Sequence, residues 1–252
     1  MARMRLLLPR PSDDSSADEL GPDDVVALYA PPDRTTPRVR VNFVASLDGA
    51  VTVDGFSEGL SSPADKQVFG ILRGGCDALL VGAGTLRHEG YGPVRLDAAR
   101  RERRRAAGLP EVPVLVVVSG RLDLSPGHPA LAEAPVRPIV LTHAASPADR
   151  QTALSEVADV LICGETEVDL GAALGVLAER GLTQVLSEGG PYVLGGLEAA
   201  DRVDELCLTV APVLAGPGAG RITAGVPSAA HRMRLAHVAE DDGDLFLRYV
   251  RR

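Results

Sequence analysis

Seven apolar runs, separated by helix-like stretches, are the feature of this sequence that most restricts its fold. They are rich in β-branched residues and cover residues 38–47, 76–84, 113–120, 137–142, 157–163, 182–190 and 203–214. Several are apolar at nearly every position, as expected for parallel strands that are buried on both faces. Strands that alternate with helices form βαβ units with right-handed crossovers. The pattern therefore predicts an α/β fold with a mostly parallel sheet flanked by helices.

The last part of the chain breaks this alternation. A long stretch with little helical pattern separates the run at 203–214 from a further strand-like stretch, "DGDLFLRYV", at 242–250. This spacing predicts an antiparallel pair at the C-terminal edge of the sheet. We find no linker, so we expect a single domain over residues 38–252, with residues 1–37 as an N-terminal extension packed on it.

Several helix boundaries are marked by capping residues. Ser62 precedes Pro63, and Ser146 precedes Pro147, so each pair predicts an N-cap followed by the first helical residue. Gly181 predicts the C-terminal end of a helix that starts near residue 169. The acidic, serine-rich residues 12–24 predict a loop that leads into a short helix, "DDVVALYA".

Composition excludes some classes of partner. The net charge of −8 argues against nucleic-acid binding, which requires a basic face. The three cysteines, Cys76, Cys163 and Cys207, are far apart and form no CxxC pair, which indicates buried thiols in a reducing compartment. No apolar run reaches the ~20 residues of a membrane span, and the first residues lack the apolar length of a secretion signal. We expect a cytoplasmic protein without a membrane partner.

The stretch "SEGGPYVLGGL", residues 187–197, follows an apolar run and contains four glycines. Its glycines are explained either by a tight turn or by a backbone cradle for a phosphate. Pro191 occupies the position of a first helical residue, so a strand, a Gly-Gly turn and a helix N-terminus would meet here. Glu188 lies at the end of the strand, where ligands of open α/β sheets bind.

A second glycine motif, "VGAGTLRHEGYG", covers residues 81–92. Gly82 and Gly84 would let a ligand approach the backbone, and Thr85 either caps a helix or binds a phosphate oxygen. Arg87 occupies the place of the third glycine of a dinucleotide fingerprint, so a plain strand-to-helix turn fits the motif equally well. Asp48 and Gly49 predict a turn after the first strand.

The arginines allow two interpretations. Arg73 lies near the C-terminal end of a predicted helix. There its positive charge either interacts favourably with the helix dipole or binds a phosphate through the planar guanidinium. Arg121 follows a strand end, where it would meet a 2′-phosphate. The basic run at residues 98–105 predicts a solvated helix face. The five histidines have no metal-ligand spacing, and zinc deaminase, nucleophile-elbow and Walker A motifs are absent, so we expect no metal.

Four segments in this order resemble the reductase domain of riboflavin biosynthesis, the RibD C-terminal domain family of pyrimidine reductases. They are "VASLDGAVT", "SSPADKQVFGILRGGCDALLVGAGT", "SEGGPYVLGGL" and "VDELCLTVAPVLAG", and the similarity spans residues 38–250. The resemblance implies a dihydrofolate-reductase-like α/β fold, NADPH as the cofactor and a homodimer. It also implies hydride transfer to the ring-opened ribose of 5-amino-6-(5-phosphoribosylamino)uracil. Such a reaction requires the nicotinamide and the acceptor carbon to lie ~3–3.5 Å apart.

The resemblance also assigns roles to individual residues. The NADPH contacts that it implies are Val44, Ala45, Gly82, Gly84, Thr85, Glu89, Ser119, Gly189, Gly190, Pro191, Tyr192, Val193, Leu194, Gly195 and Gly196, and we add Arg121 for the 2′-phosphate. The substrate contacts are Ser57, Arg73 and Arg95 around the ribose phosphate and Glu188 at the pyrimidine or ribityl end. Asp48 and Glu188 are the candidate catalytic residues, with Asp48 shaping the site.

Two segments depart from the family pattern. Gly59 stands where the riboflavin enzymes often carry an aromatic residue, and "RHEGYGPVR" replaces the usual Ala-Asp-Asp-Pro stretch before the substrate arginine. Two further functions therefore stay open. One is reduction of a pterin such as dihydrofolate by the same fold, and the other is NADPH sensing without catalysis.

Overall fold

The structure is a computed structural model that describes residues 4–9 and 19–252. Within these residues the strands are β1 (Arg5–Leu8), β2 (Arg38–Ser46), β3 (Ala78–Gly82), β4 (Val114–Val118), β5 (Ile139–Thr142), β6 (Asp159–Ile162), β7 (Gln184–Ser187), β8 (Glu205–Ala211), β9 (Met233–Asp241) and β10 (Asp244–Arg251). The helices are α1 (Pro22–Tyr29), α2 (Pro63–Gly75), α3 (Ala83–His88), α4 (Ala98–Ala106), α5 (Pro129–Ala132), α6 (Ala148–Ser155), α7 (Leu170–Glu179) and α8 (Pro191–Ala199).

All of these strands belong to one sheet, in the order β1-β9-β10-β8-β2-β7-β3-β4-β5-β6. The strands from β8 to β6 in this order are parallel to one another. Strand β7 lies between β2 and β3, both of which precede it in the sequence. The predicted single α/β domain with a mostly parallel sheet is confirmed. Because the central strands are parallel, the turns that follow β3 and β7 meet at one edge of the sheet.

The C-terminal edge is antiparallel, as predicted, but it contains more strands than we expected. Strand β10 pairs with β8 and also with β9, and β9 pairs with β1. Strand β9 lies within the stretch that shows little pattern in the sequence. Its buried positions include His237 and Ala239, so its apolar alternation is weak. Met4, Val25 and Tyr29 are buried in the same core, so the described part of the N-terminal segment is integral to the fold. Most of the predicted acidic loop at 12–24 lies outside the described residues.

The predicted helix ends are mostly confirmed. Ser62 caps α2 by accepting a hydrogen bond from the amide of Asp65, and Pro63 is its first residue. Gly181 follows α7 with a φ of +79°, a conformation that favours glycine. The prediction for α6 was wrong by one residue, because Pro147 occupies the N-cap position and the Ser146 hydroxyl instead donates to the carbonyl of His143 at 2.8 Å.

The sheet separates two apolar layers, and Arg104 lies at the edge of one of them. We expected residues 98–105 to form a solvated helix face, but Arg104 is fully buried. It donates to the carbonyl oxygens of Pro110, Gly74 and Cys76. It therefore caps the C-terminal end of α2, whose last carbonyls have no partner within the helix. The prediction was wrong for Arg104 because the sequence of a basic helix does not show which of its arginines will face the core.

The three cysteines are buried and unpaired, as expected. In the described part of the chain, no helix has both the length and the apolar character needed to cross a bilayer.

Candidate functional site

A cleft of about 1070 Å³ opens where β3 and β7 end, beside the second half of β2. Helix α2 forms one wall with Asp65, Phe69 and Arg73. The turns after β3 and β7 form the opposite side, and two loops, residues 51–61 and 88–94, contribute the rim. Residues that are far apart in the sequence therefore meet here because parallel strands end at the same edge.

The cleft brings together most of the residues singled out in the sequence. Those that line it are Val44, Ser57, Arg73, Gly82, Gly84, Thr85, Glu89, Glu188, Gly190, Pro191, Tyr192 and Val193. The predicted substrate residues Ser57, Arg73 and Glu188 are thus in the same cavity as the predicted cofactor turns.

The other residues singled out do not line the cleft. They are Ala45, Asp48, Arg95, Ser119, Arg121, Gly189, Leu194, Gly195 and Gly196. Arg95 and Arg121 are exposed, whereas Ser119 is buried and its amide donates to the carbonyl of Leu141 at 2.9 Å.

Asp48 braces a loop instead of facing the cleft. Its carboxylate accepts from the amides of Ala215 and Gly216, at 3.2 and 2.8 Å, and from the Ser46 hydroxyl. The Ser46 hydrogen bond, followed by those from the two amides, lowers the pKa of the carboxyl. These contacts tie the end of β2 to the loop after β8.

Two glycines of α8 serve packing. A Cβ added at Gly195 would run into the carbonyl of Ala224, and one at Gly196 would lie 2.8 Å from Cδ1 of Leu170. These glycines let a loop and a neighbouring helix approach closely, and their predicted pyrophosphate contact stays a prediction.

The turn after β7 joins two strands and a helix. Gly189 has a φ of +90°, its carbonyl accepts from the Gly82 amide at 2.7 Å, and the peptide to Gly190 is cis. A Cβ at Gly190 would collide with Oγ1 of Thr85. Helices α3 and α8 thus begin side by side, at Ala83 and Pro191, without a capping side chain. The positive end of α8 borders the cleft and suits an anionic group.

One polar cluster in the cleft is centred on Glu188. Arg73 binds its carboxylate with two hydrogen bonds, Nε to Oε1 at 2.7 Å and Nη2 to Oε2 at 2.6 Å. The Tyr91 hydroxyl donates to Oε2 at 2.8 Å. Burial of the guanidinium tends to lower the pKa of Arg73. The hydrogen bonds and the negative charge of Glu188 outweigh this effect and raise that pKa. The Arg73 guanidinium also lies 4.2 Å from the centroid of the Phe69 ring.

A second buried carboxylate belongs to Asp65, which lies on α2 near its N-terminal end, whereas Arg73 lies near the C-terminal end. Asp65 lines the cleft although only 6% of its surface is exposed. Burial raises the pKa of Asp65, and hydrogen bonds with Thr209 and Ser61 oppose this shift. Asp65, Phe69 and Arg73 recur every four residues, so they project from the same face of α2.

The loop at 51–61 covers one side of the cleft and is held there by aromatic and polar contacts. The Phe56 ring stacks on His88 with centroids 4.9 Å apart, and Nε2 of His88 is 2.8 Å from the carbonyl of Gly55. The Ser57 hydroxyl donates to Glu89 at 3.0 Å. A Cβ at Gly59 would lie 2.9 Å from Cβ of Val53, so this loop leaves no room for the aromatic residue common in the family at that position.

Sequence reasoning missed Asp65, Phe69 and Tyr91. The four-residue spacing of Asp65, Phe69 and Arg73 was visible in the sequence and would have found the first two. Tyr91 lies in the segment that departs from the family pattern, where no such signal exists. Among the described residues, no group of three or more His, Cys, Asp or Glu side chains is arranged to hold a metal ion.

The sequence and fold are similar to those of known proteins. Residues 37–247 match the model of the RibD C-terminal domain. The 2,5-diamino-6-ribosylamino-4(3H)-pyrimidinone 5′-phosphate reductase of Archaeoglobus fulgidus is 29% identical over 181 residues, which cover 71% of this chain and 82% of that protein. The protein of the same name from Methanothermobacter thermautotrophicus is 29% identical over 182 residues, covering 71% and 80%.

The fold is also similar to that of a solved structure. A pyrimidine reductase-like protein from Corynebacterium diphtheriae has a TM-score of 0.81 and 27% identity, and the match covers 92% of this chain and 98% of that one.

Proposed function

The chain belongs to the RibD C-terminal domain family, and from that premise we propose that it is an NADPH-dependent reductase of a ribosylamino-pyrimidine 5′-phosphate in riboflavin biosynthesis. The archaeal relatives named above support this class of substrate, and the similarity to the pyrimidine reductase-like structure supports the reductase role.

The observation that carries the proposal is a pair of buried carboxylates that line the cleft. Asp65 and Glu188 both line the cavity, and Phe69 lies between Asp65 and Arg73 on α2. The carboxylate of Glu188, paired with the Arg73 guanidinium, accepts hydrogen bonds, and Asp65 adds carboxyl oxygens to the same cleft. The pair favours a flat ring that carries several N–H donors. A diaminopyrimidinone presents more donors than the corresponding uracil, which has a carbonyl in place of the 2-amino group. The pair therefore favours the amino form of the substrate over the uracil form that the family resemblance implied.

The residues of the opposite wall fit the cofactor. The N-terminus of α8 and the backbone of Gly84 offer amides and open space to a pyrophosphate. Gly84 has no atom within 4 Å of an added Cβ, so the backbone is accessible from the cleft. A bound reduced nicotinamide supplies the hydride. The chain positions the acceptor and excludes water from the cavity, which are the contributions expected of a protein in hydride transfer.

The 5′-phosphate of the substrate requires a cation. We assign it to Arg73 and Ser57, which line the cleft, and not to Arg95, which is exposed outside it. The hydrogen bonds to Glu188 use Nε and Nη2 of Arg73, so Nη1 is the part of the fork that remains for the phosphate.

The test is NADPH oxidation with the diaminopyrimidinone phosphate, the aminouracil phosphate and dihydrofolate side by side. We expect turnover of the two pyrimidines, with the higher kcat/KM for the amino form. Asp65→Asn should reduce that preference, whereas Asp149→Asn, a matched change of an exposed aspartate on α6, should leave it intact. Turnover of dihydrofolate alone would make the protein a pterin reductase. Tight NADPH binding without turnover of any of the three would make it a sensor.

The family resemblance also predicts a homodimer, and the composition predicts a cytoplasmic protein. Sedimentation equilibrium of the purified protein checks the first point, and a mass equal to one chain at micromolar concentration would contradict it.

A further inference from the structure

The orientation of Glu188 is fixed by two residues that come from different parts of the chain. Arg73 on α2 provides two hydrogen bonds, and Tyr91, in the loop after α3, provides the third at 2.8 Å. Only 2% of the Glu188 side chain is exposed, so water does not replace these donors. A buried carboxylate held by three donors has one orientation.

Counting lone pairs shows what remains available. A carboxylate accepts about four hydrogen bonds, two on each oxygen. Among the residues that the structure describes, Oε2 accepts from both Arg73 and Tyr91, whereas Oε1 accepts only from Arg73. The remaining acceptor site is on Oε1 of a residue that lines the cleft. It is complementary to an N–H or O–H donor of a ligand.

Tyr91 is suited to hold this acceptor in place. Its backbone amide donates to the carbonyl of Leu86 at 3.1 Å, and the preceding Gly90 has a φ of +65°, so the turn after α3 aims the side chain inwards. Its ring lies 5.5 Å from the Arg73 guanidinium, on which it packs together with Phe69. Burial, and then the charge of Glu188, raise the pKa of Tyr91 well above its ordinary value, so the hydroxyl remains a donor at neutral pH.

The position of Tyr91 in the sequence gives this contact its significance. Tyr91 belongs to "RHEGYGPVR", the segment that departs from the family pattern. The segment that departs from the family pattern therefore carries a side chain that reaches Glu188, the carboxylate that the family resemblance assigns to the pyrimidine or ribityl end of the substrate.

We propose that Tyr91 is a positioning residue which, together with Arg73, fixes Glu188 so that Oε1 accepts a hydrogen bond from an amino donor of the pyrimidine. This inference deepens the proposed function and rests on it for the identity of the ring. Tyr91 acts through Glu188 and does not itself contact the reacting carbon.

A double-mutant cycle of Tyr91→Phe and Glu188→Gln tests the proposal. Tyr91→Phe keeps the ring and removes the hydroxyl, so kcat/KM for the diaminopyrimidinone phosphate should fall roughly 10- to 100-fold, the range for a hydrogen bond to a charged group. In the Glu188→Gln background the same change should cost less than about 3-fold, because its partner is already altered. The Kd for NADPH should stay the same in all four proteins. Tyr249→Phe on β10, away from the cleft, is the matched control and should leave kcat/KM unchanged.

The outcomes separate this inference from the proposed function. If the wild-type protein reduces neither pyrimidine, the proposed function fails, and the cycle is then measured by calorimetry with 2,4-diamino-6-hydroxypyrimidine on the NADPH-loaded protein, which needs no turnover. Equal losses from Tyr91→Phe in both backgrounds would overturn the positioning role, as would a neutral Tyr91→Phe. Absence of probe binding by a wild-type protein that is also inactive would overturn it too.

Discussion

Glu188 and Glu205 are two buried glutamates with arginine partners, but Glu205 has a structural role whereas we propose that Glu188 binds a ligand. Glu205 accepts from Arg40 and Arg248, each at 2.9 Å, and its side chain is as buried as that of Glu188. The two arginines also donate to the carbonyls of Tyr29 and Leu28 at the end of α1. The Glu205 cluster thus fastens α1 to the sheet.

The difference lies in what surrounds each carboxylate. The arginines of the Glu205 cluster are shared with backbone carbonyls, whereas the Glu188 cluster opens on the large cleft. Burial favours the neutral form of Glu205, but its arginines outweigh this effect and lower its pKa. The same chemistry therefore stabilises the fold at Glu205, and under our proposal it recognises a ligand at Glu188, where an acceptor site is left.

Glu205→Gln should have the largest effect, and it should be on stability. It leaves two buried guanidinium groups without a charged partner, which costs about 3–5 kcal/mol of unfolding free energy. Urea denaturation measures this loss. Asp159→Asn is the matched control, because Asp159 also binds two arginines, Arg137 and Arg180, but is exposed. That change should cost less than about 1 kcal/mol. Equal losses in the two variants would remove the distinction by burial.

Glu188→Gln should affect turnover instead of cofactor binding. Loss of a charged acceptor should reduce kcat/KM by about 100-fold, with an unchanged Kd for NADPH.

Gly190→Val is the corresponding change on the predicted cofactor side of the cleft, because the valine side chain would meet Thr85 and narrow the turn. That variant should weaken NADPH binding, as measured by calorimetry. If Glu188→Gln and Gly190→Val weaken NADPH binding equally, the division of the cleft into a substrate side and a cofactor side is wrong.

The pH dependence of stability should come from the neighbourhood of Glu205. Burial, and then the charges of Arg248 and Arg40, lower the pKa of His237 to about 4. Since an unfolded histidine titrates near 6.5, this contribution to stability is complete above about pH 6.5 and is lost as the pH falls towards 4. His237→Phe keeps the edge-on ring contact with Tyr29 and should flatten this slope by on the order of 1 kcal/mol per pH unit. Unfolding curves between pH 7 and 4 provide the measurement, and identical slopes would contradict the assignment.

Arg121→Ala should give the smallest effect, because Arg121 is exposed and belongs to neither cluster. If it meets the 2′-phosphate, its removal should weaken NADPH binding by a few-fold and leave NADH unaffected, since an exposed ion pair contributes about 1 kcal/mol or less. Calorimetry with both nucleotides tests this. Arg101→Ala on α4 is the control. Equal affinity of the wild-type protein for NADPH and NADH would end the assignment.

Much of the fold follows from the sequence because it depends on periodicity and capping. The parallel strands, the start of α2 at Pro63 and the start of α8 at Pro191 are all encoded locally. Strand β9 was missed because a histidine and an alanine fill its buried positions, and Arg104 was misplaced because its burial depends on α2.

The site was predicted only in part, because spacing does not give side-chain direction. Arg73 and Glu188 were each assigned to the substrate, but nothing in the sequence shows that they bind each other. Asp48 and Ser119 both follow strands that end at the edge of the sheet where the cleft lies. Asp48 nevertheless braces a loop, and Ser119 is buried. Tyr91 had no signal, since it occurs in a segment that departs from the family pattern.

The position of β7 between β2 and β3 has a consequence for how the protein is made. During synthesis β2, α2 and β3 leave the ribosome long before β7 and α8 do, so the middle of the sheet stays open until residues 184–199 have emerged. Until then the chain has no Glu188, no turn at 189–190 and no cleft. Neither nucleotide nor pyrimidine can assist the early stages of folding, and a chain interrupted before α8 should be recognised by its exposed sheet as a substrate for chaperones and proteases.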